Sequence, residues 1–222
     1  MEYPIRINKY LRDKGLASRR EADKLVESGL VFVNGKRVES GTMVNEKDNV
    51  VVKKPKGLPA KEYKYLAYYK PRNLPTQDLP GKESVITIWK KEGLYPIGRL
   101  DKSSEGLLLL TNDGRFAREV LSNSEKYEKE YLVSVKEPLR TGIIKIFQAG
   151  METQALGQLL PAKAQIAGEK KLRLFLREGK RHQVRVMLSE LGYTISSLKR
   201  VRIGQIKVGD LKPGETRSLT KK

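Results

Sequence analysis

The sequence predicts an α+β protein. A small N-terminal domain of two helices plus a short sheet is followed by a larger domain, in which a mixed, largely antiparallel sheet is flanked by helices. Apolar residues recur at helical spacing before residue 30 and alternate at strand spacing just after it. Segment 54–62 is rich in Pro, Gly and Lys, and strand patterns alternate with helical ones beyond it. Because 222 residues suffice for one sizeable and one small domain, we expect domains at 1–53 and 63–222, joined by a linker at 54–62.

Two helices are predicted in the N-terminal domain. The first carries apolar side chains one turn apart at Ile7 and Leu11 and is expected to end near Gly15, which tolerates a left-handed conformation. The second begins at Ser18, because Glu21 three residues later completes a capping box. The apolar stripe of this second helix, which Gly29 ends, comprises Ala22, Leu25 and Val26.

A tight hairpin is predicted after these helices. Val31 and Val33 alternate toward Asn34-Gly35, a dipeptide typical of a type I′ turn, and residues 36–38 form the return strand. Val50–Val52 then closes the small domain as a further strand.

The charge of the chain indicates its kind of partner. With 45 Lys and Arg against 26 Asp and Glu, the formal charge is +19, which attracts phosphates and predicts a nucleic-acid partner. The absence of cysteine excludes disulfides and thiolate chemistry, and a single histidine argues against a zinc site. The sequence shows no apolar run of membrane-spanning length and no signal-peptide pattern. We therefore expect no membrane partner, no metal and a cytoplasmic location.

The N-terminal cations crowd the two helices and the hairpin. The segments Arg-Ile-Asn-Lys-Tyr-Leu at 6–11, Ala-Ser-Arg-Arg-Glu-Ala-Asp at 17–23 and Val-Phe-Val-Asn-Gly-Lys-Arg-Val at 31–38 resemble the S4 domain, a small RNA-binding domain named after a ribosomal protein. The resemblance implies binding of structured RNA through phosphates and shape, whereas the alternative is a solvated helix face. The residues expected to contact RNA here are Arg6, Lys9, Arg12, Arg19, Arg20, Lys24, Lys36 and Arg37.

Strand and helix patterns alternate in the larger domain. A buried strand is expected at Leu107–Leu110, because this apolar run is too short for an independent helix. A helix is expected from Arg115 to Leu121, and a later one carries Val184, Met187, Leu188 and Leu191 at three- and four-residue spacing. Further strands are predicted by Tyr65–Tyr69, by the alternation of Tyr131, Val133 and Val135, and by that of Leu172, Leu174 and Leu176.

One carboxylate is framed by glycines and polar residues. Asp101 lies in a loop just before the buried strand, and a single framed carboxylate in a very basic protein suggests a nucleophile that acts on a polyanion. Arg181, His182 and Arg185 are expected in the first turns of a helix, where negative charge is favoured. The anion there is either an RNA phosphate or Asp101 itself, and composition and periodicity leave both open.

Four segments in chain order resemble the bacterial ribosomal RNA pseudouridine synthases. They are Lys70-Pro71, Gly-Arg-Leu-Asp at 98–101 with the following residues 104–114, Glu130–Val133 and Glu178–Arg185. The resemblance implies an RNA-binding domain followed by a catalytic domain. In the latter, Asp101 is the nucleophile, Arg185 pairs with it and Tyr131 stacks on the target base. Contacts with RNA are also expected in this domain at Lys70, Arg99 and Arg181.

The reaction implied by this resemblance is the isomerisation of one or a few uridines in ribosomal RNA, either free or in an assembling subunit. The N1–C1′ bond breaks and the base rejoins through C5, after the nucleotide has been turned out of the stack. A carboxylate and an aromatic ring suffice, so we expect no cofactor, and we expect a monomer. The sequence does not distinguish attack at C1′ from attack at C6 of the base.

Two other functions fit parts of the pattern. A non-catalytic RNA-binding or ribosome-assembly protein would share the charge and the N-terminal domain without using Asp101. A hydrolase of nucleosides or sugars would need two facing carboxylates, and Asp101 with Glu105 is the pair that lies close in sequence. The chain also departs from the family at Asn73, where glycine is common, and at Val186, where a second arginine is common.

Overall fold

A computed structural model describes residues 2–53 and 62–220, so that the predicted linker at 54–62 lies outside the described residues except for Glu62. The chain divides into two compact units. One runs to Tyr63 and includes Asp113–Arg115, and the other comprises Lys64–Asn112 and the residues from Phe116 onward. Within the described residues, no helix combines the length and apolar character that a membrane crossing requires.

The described residues 2–53 of the first unit contain two helices and two small sheets. The three-stranded sheet has the order β3-β2-β5, and β1 pairs with β4, all antiparallel. The elements are β1 (Ile5–Arg6), α1 (Ile7–Asp13), α2 (Arg19–Glu27), β2 (Val31–Val33), β3 (Lys36–Arg37), β4 (Met43–Val44) and β5 (Val50–Val52).

Local hydrogen bonds set the ends of these elements. The Glu21 amide donates to Ser18 Oγ at 3.3 Å and the Ser18 amide donates to the Glu21 carboxylate at 2.9 Å, which confirms the predicted capping box at the start of α2. Asn34 and Gly35 have φ of 50° and 80°, which confirms the type I′ turn between β2 and β3. The core of this unit is apolar, and its fully buried members are Ile7, Leu11, Ala22, Val31 and Val44.

Residues 62–220 contain a nine-stranded sheet, a separate antiparallel pair of strands, Glu152–Thr153 with Gly157–Gln158, four α-helices and a short 3-10 helix at Lys90–Glu92. The helices are α3 (Val85–Trp89), α4 (Gly114–Ser122), α5 (Ile143–Ala149) and α6 (Gln183–Glu190). The strands are β6 (Tyr65–Lys70), β7 (Tyr95–Ile97), β8 (Glu105–Thr111), β9 (Lys129–Val135), β10 (Glu152–Thr153), β11 (Gly157–Gln158), β12 (Lys163–Gly168), β13 (Lys171–Leu176), β14 (Ile195–Ile203), β15 (Ile206–Lys207) and β16 (Thr216–Ser218).

The large sheet is mixed, as predicted. Its main order is β12-β13-β9-β14-β8-β6-β16, with β7 beside β8 and β15 beside β14. Among the described strands, β8 and β14 form the parallel pair, and the other neighbours in this sheet are antiparallel. The α+β fold class is therefore confirmed.

Strand β8 lies in the middle of this sheet and is buried on both faces. Leu107 and Leu109 belong to one apolar cluster and Leu108 and Leu110 to another, and all four are 0% exposed. A third cluster joins the sheet to α5 and α6, and there Val184, Met187 and Leu188 form the predicted buried stripe. These contacts place the loop before β8 on a rigid base.

The start of α6 differs from the prediction. Arg181 and His182 were expected in the first turns, but the helix begins at Gln183, with His182 as its N-cap residue at φ 56°. The side chain of Gln183 accepts a hydrogen bond from the Lys180 amide at 3.1 Å and donates one to Glu178 at 2.6 Å. These two hydrogen bonds tie the preceding loop to the start of the helix. The helix therefore begins after His182 instead of including Arg181 and His182.

Candidate active site

The loop that carries Asp101 is fixed by backbone hydrogen bonds. It follows β7 and precedes β8, with Gly98 at φ 73°. The buried Thr76 hydroxyl donates to the Leu100 carbonyl at 2.6 Å and accepts from the Leu100 amide at 3.1 Å. The Ser104 amide donates to the Asp101 carbonyl at 3.0 Å, which closes a turn. The position of Asp101 is thus set on both sides.

Two side chains from the start of α6 hold the Asp101 carboxylate. Arg185 Nε lies 3.2 Å from one carboxylate oxygen, and His182 Nδ1 lies 3.1 Å from the other. Arg185 Nη2 also donates to Ser104 Oγ at 2.9 Å, so the guanidinium spans the Asp101 turn. The Asp101 side chain is 26% exposed and thus reachable from outside. Of the two anions left open for Arg185, the structure places Asp101 against it.

His182 was predicted near an anion at the start of α6, with an RNA phosphate and Asp101 both left open, and it was assigned no acid-base role. The structure brings it to Asp101. Its left-handed backbone, φ 56°, is uncommon for a residue with a side chain and turns the ring toward the Asp101 carboxylate. Nothing in the sequence pattern indicates that conformation.

A cavity of about 230 Å³ opens beside the carboxylate. Tyr131 on β9 lines it together with Asp101 and Arg185, so the three residues predicted to act together share one cavity. Apolar side chains form much of the remaining wall, namely Leu100, Leu176, Val184 and Leu198. An aromatic ring and apolar walls suit a planar base, and the carboxylate lies within the same space.

The cavity is also lined by Lys129 and Arg200, two cations that lie outside the four segments that carry the resemblance. Lys129 could have been found from the strand pattern, because it lies two residues before Tyr131 and therefore on the same face of β9. Arg200 on β14 offers no such signal, since its place in the cavity depends on sheet pairing: it lies opposite Tyr131 on one side and Gly106 on the other.

Arg99 and Arg181 lie where RNA can reach them. Both are exposed and line a groove of about 430 Å³ that also includes Asp101 and His182. Arg99 Nη1 donates to Gln77 Oε1 at 2.7 Å, which orients its side chain in this groove. Their contacts with RNA remain predictions.

The structure contradicts the predicted RNA contact of Lys70. It was expected to contact RNA, but its side chain is 0% exposed at the end of β6, and its ammonium donates to the carbonyls of Pro71 at 2.8 Å and Leu74 at 2.7 Å. Burial lowers the pKa of Lys70 to about 8, and the charges of Asp101 and Glu105 oppose that shift. Because it is buried and its ammonium is bound by these two carbonyls, Lys70 holds the loop after β6 instead of contacting RNA.

The loop after β6 tolerates Asn73 at a position where the family commonly has glycine. The φ of this residue is 69°, in the left-handed region that asparagine enters more readily than most residues with a side chain. The Asn73 amide donates to the Lys102 carbonyl at 2.8 Å, which joins this loop to the one that carries Asp101. The departure from the family pattern therefore leaves the backbone conformation available.

The cations predicted to bind RNA in the first unit are largely on its surface. Arg12 differs from the others because its Nε lies 2.6 Å from Asp13, and this hydrogen bond raises the pKa of Arg12. Arg37 packs its guanidinium over Gly29, where an added Cβ would lie 1.9 Å from it. The side chain of Arg20 lies outside the described residues, and the exposed members of the set are Arg6, Lys9, Arg19, Lys24, Lys36 and Arg37.

Comparison with known proteins identifies the family of the chain. The family model described as RNA pseudouridylate synthase matches residues 48–190, and the S4 domain model matches residues 5–50. The dual-specificity RNA pseudouridine synthase RluF of Escherichia coli strain K12 is 35% identical in an alignment 222 residues long. The alignment covers 97% of this chain and 76% of that protein. The ribosomal large subunit pseudouridine synthase B of Bacillus subtilis strain 168 is 35% identical over 226 residues, with coverage of 97% and 92%.

A solved structure shows the same architecture. The crystal structure of a pseudouridylate synthase superimposes with a TM-score of 0.71 at 26% sequence identity, and the match covers 97% of this chain and 96% of the other. Sequence, fold and the cavity around Asp101 thus lead to one assignment: the chain belongs to the RNA pseudouridylate synthase family and begins with an S4 domain.

Proposed function

We propose that this protein isomerises one or a few specific uridines in ribosomal RNA to pseudouridine. The observation that carries the proposal is the placement of the Asp101 carboxylate, held by Arg185 Nε at 3.2 Å, in a cavity that Tyr131 also lines. Relatives of which the match covers 76% and 92% are named as pseudouridine synthases, and one of those names specifies the large ribosomal subunit. Large-subunit RNA is therefore the first substrate to examine.

In the proposed reaction, Asp101 is the nucleophile. The target nucleotide is turned out of its stack, and Tyr131 stacks on the base, which repays part of the unstacking free energy. Asp101 attacks either C1′ of the ribose or C6 of the base. When the N1–C1′ bond breaks, its electron pair stays on the base, which then turns and bonds to C1′ through C5. Formation of the C5–C1′ bond is accompanied or followed by breaking of the bond to Asp101, at C1′ or at C6, so the carboxylate is released unchanged. C5 then loses its proton and N1 gains one, so no oxidation or reduction is involved.

Arg185 acts by positioning Asp101. Two of its nitrogen atoms bind the Asp101 carboxylate and Ser104 Oγ together, and the planar guanidinium fixes their relative geometry. The carboxylate therefore stays oriented toward the cavity, which reduces the reorganisation that attack requires.

RNA recognition is assigned to both parts of the chain. We propose an S4-like domain at 1–53, a linker at 54–62 and a catalytic domain at 63–222, acting as a cytoplasmic monomer on free ribosomal RNA or an assembling subunit. The N-terminal cations contact phosphates, while Arg99 and Arg181 contact RNA around the flipped nucleotide. Exposure of these side chains supports the proposal, and Lys70 is no longer included because it is buried.

The test is the Asp101→Asn variant beside Asp210→Asn, which changes an exposed aspartate outside the cavity. Pseudouridines are mapped chemically in ribosomal RNA from cells that lack the gene, after treatment with each purified protein. Wild type and Asp210→Asn are expected to restore the missing sites, whereas Asp101→Asn restores none and keeps its RNA affinity. RNA binding without any new pseudouridine in wild type would favour a binding or assembly protein. Release of free uracil would favour a hydrolase.

A further inference from the structure

Lys129 and Arg200 form a cationic wall of the Asp101 cavity. Lys129 shares a face of β9 with Tyr131, because side chains two residues apart point to the same side of a strand. Arg200 lies directly opposite Tyr131 on the neighbouring strand β14. The two cations therefore border the place where the proposed stacking ring meets its base.

Arg200 is held by backbone carbonyls but retains one free donor nitrogen. Arg200 is only 5% exposed, and its Nε donates to the Leu107 carbonyl at 2.8 Å. Nη1 lies 3.4 Å from the Arg99 carbonyl, whereas the buried Nη2 has no hydrogen-bond partner. A buried guanidinium nitrogen without a partner is unfavourable, so the hydrogen-bonding capacity and charge of Arg200 are not fully satisfied within the described residues.

Lys129 also lacks a partner of opposite charge. Within residues 2–53 and 62–220, no carboxylate forms an ion pair with its ammonium. The adjacent Glu130 lies on the other face of β9, bonded to Arg173 at 2.6 Å and Arg202 at 2.7 Å. Burial, and then the charge of Arg200, lower the pKa of Lys129. Two neighbouring cations that the protein leaves uncompensated favour a negatively charged ligand.

We propose that Lys129, supported by Arg200, binds the carbonyl edge of the target uracil and stabilises the negative charge that the base acquires during the reaction. The inference rests on the proposed function and adds a catalytic residue to it. Heterolysis of N1–C1′ leaves the electron pair on N1, from which it spreads to O2 and O4. If C6 is attacked first, the pair moves to C5 and O4. By either route the base gains negative charge before the new C5–C1′ bond forms.

A phosphate of the RNA backbone is the other anion to consider. The cavity walls argue for the base, because Leu100, Leu176, Val184 and Leu198 surround the same space and a phosphate gains nothing from apolar contacts. A charge that appears only as the bond breaks should affect the rate of the chemical step more than RNA affinity. A ground-state phosphate contact would affect affinity and its salt dependence instead.

The experiment compares Lys129→Met with Lys171→Met, which removes an exposed lysine of the adjacent strand β13. Single-turnover loss of the N1-linked nucleoside and RNA affinity are measured on uridine RNA and on the same RNA with 5-fluorouridine at the target. We expect Lys129→Met to react about 100-fold more slowly on uridine RNA, with affinity within about twofold, and Lys171→Met to match wild type. The defect should shrink on 5-fluorouridine RNA, because fluorine itself stabilises the anionic base.

Several results would overturn the inference. An equal rate loss on both RNAs would mean that Lys129 does not meet the developing charge, and a lost affinity with a shallower salt dependence would assign it to a phosphate. Lys129→Arg keeps the charge and is expected to retain at least a tenth of the wild-type rate; a loss as deep as that of Lys129→Met would exclude a charge effect. Full activity of Lys129→Met refutes this inference alone, whereas a wild type that forms no pseudouridine refutes the proposed function.

Discussion

Lys70 provides a quantitative test of the structure through the pH dependence of stability. Its side chain is 0% exposed, and burial lowers its pKa from 10.5 to about 8 in the folded protein. Between these two pH values the unfolded chain binds a proton that the folded chain has released, so the free energy of unfolding must rise with pH. At about 1.4 kcal/mol per pKa unit, the full rise is about 3 kcal/mol between pH 8 and 10.5.

The perturbation is Lys70→Met, which has no group to titrate at this position. Urea unfolding of wild type and variant is measured from pH 7 to 10.5, and their difference in free energy of unfolding removes the contributions of all other groups. The free energy of unfolding of wild type should rise relative to that of the variant by about 2–3 kcal/mol across this range. Below pH 7.5 the difference between the two should stay constant. A flat or falling difference would mean that Lys70 is not a buried ammonium and would refute the reasoning.

Two further predictions concern the sheet and the site. At Gly106, φ is 103° and an added Cβ would lie 2.2 Å from a backbone carbonyl of β14. Gly106→Ala should therefore lower the free energy of unfolding by about 3 kcal/mol or more in urea unfolding, whereas Gly142→Ala, with open space around it, should change it by less than about 1 kcal/mol. Arg185→Lys keeps the charge but cannot bind Asp101 and Ser104 together; pseudouridine formation should slow about 100-fold at unchanged RNA affinity, and wild-type turnover would contradict the positioning role.

Local structure was predictable wherever neighbours in sequence determine it. The capping box at Ser18 and the turn at Asn34-Gly35 follow from short-range hydrogen bonding and φ preferences, and both were confirmed. The buried strand at Leu107–Leu110 was predictable because a short apolar run bounded by turns must be covered on both faces. The start of α6 was not predictable, because hydrogen bonds of the Gln183 side chain to the preceding loop move the helix start to Gln183.

Burial could not be read from residue type. Lys70 was expected to contact RNA through the resemblance of Lys70-Pro71 to the synthase motif, and lysine is almost always exposed. The sheet instead places Lys70 at the end of β6 opposite Gly106, where two loop carbonyls accept hydrogen bonds from its ammonium. Likewise, the left-handed His182 depends on the loop before α6, which no local pattern indicates.

By itself, the sequence determined the fold class, the charge and the candidate nucleophile, because periodicity, composition and a spaced motif are properties of the chain alone. The resemblance implied that Arg185 pairs with Asp101, but only the tertiary structure shows which groups lie beside this carboxylate. Arg185 lies 84 residues away in the chain, and Lys129 and Arg200 reach the same cavity through the pairing of β9 and β14. Contacts between residues this distant arise from sheet order and helix packing, which depend on the whole domain rather than on any segment of it.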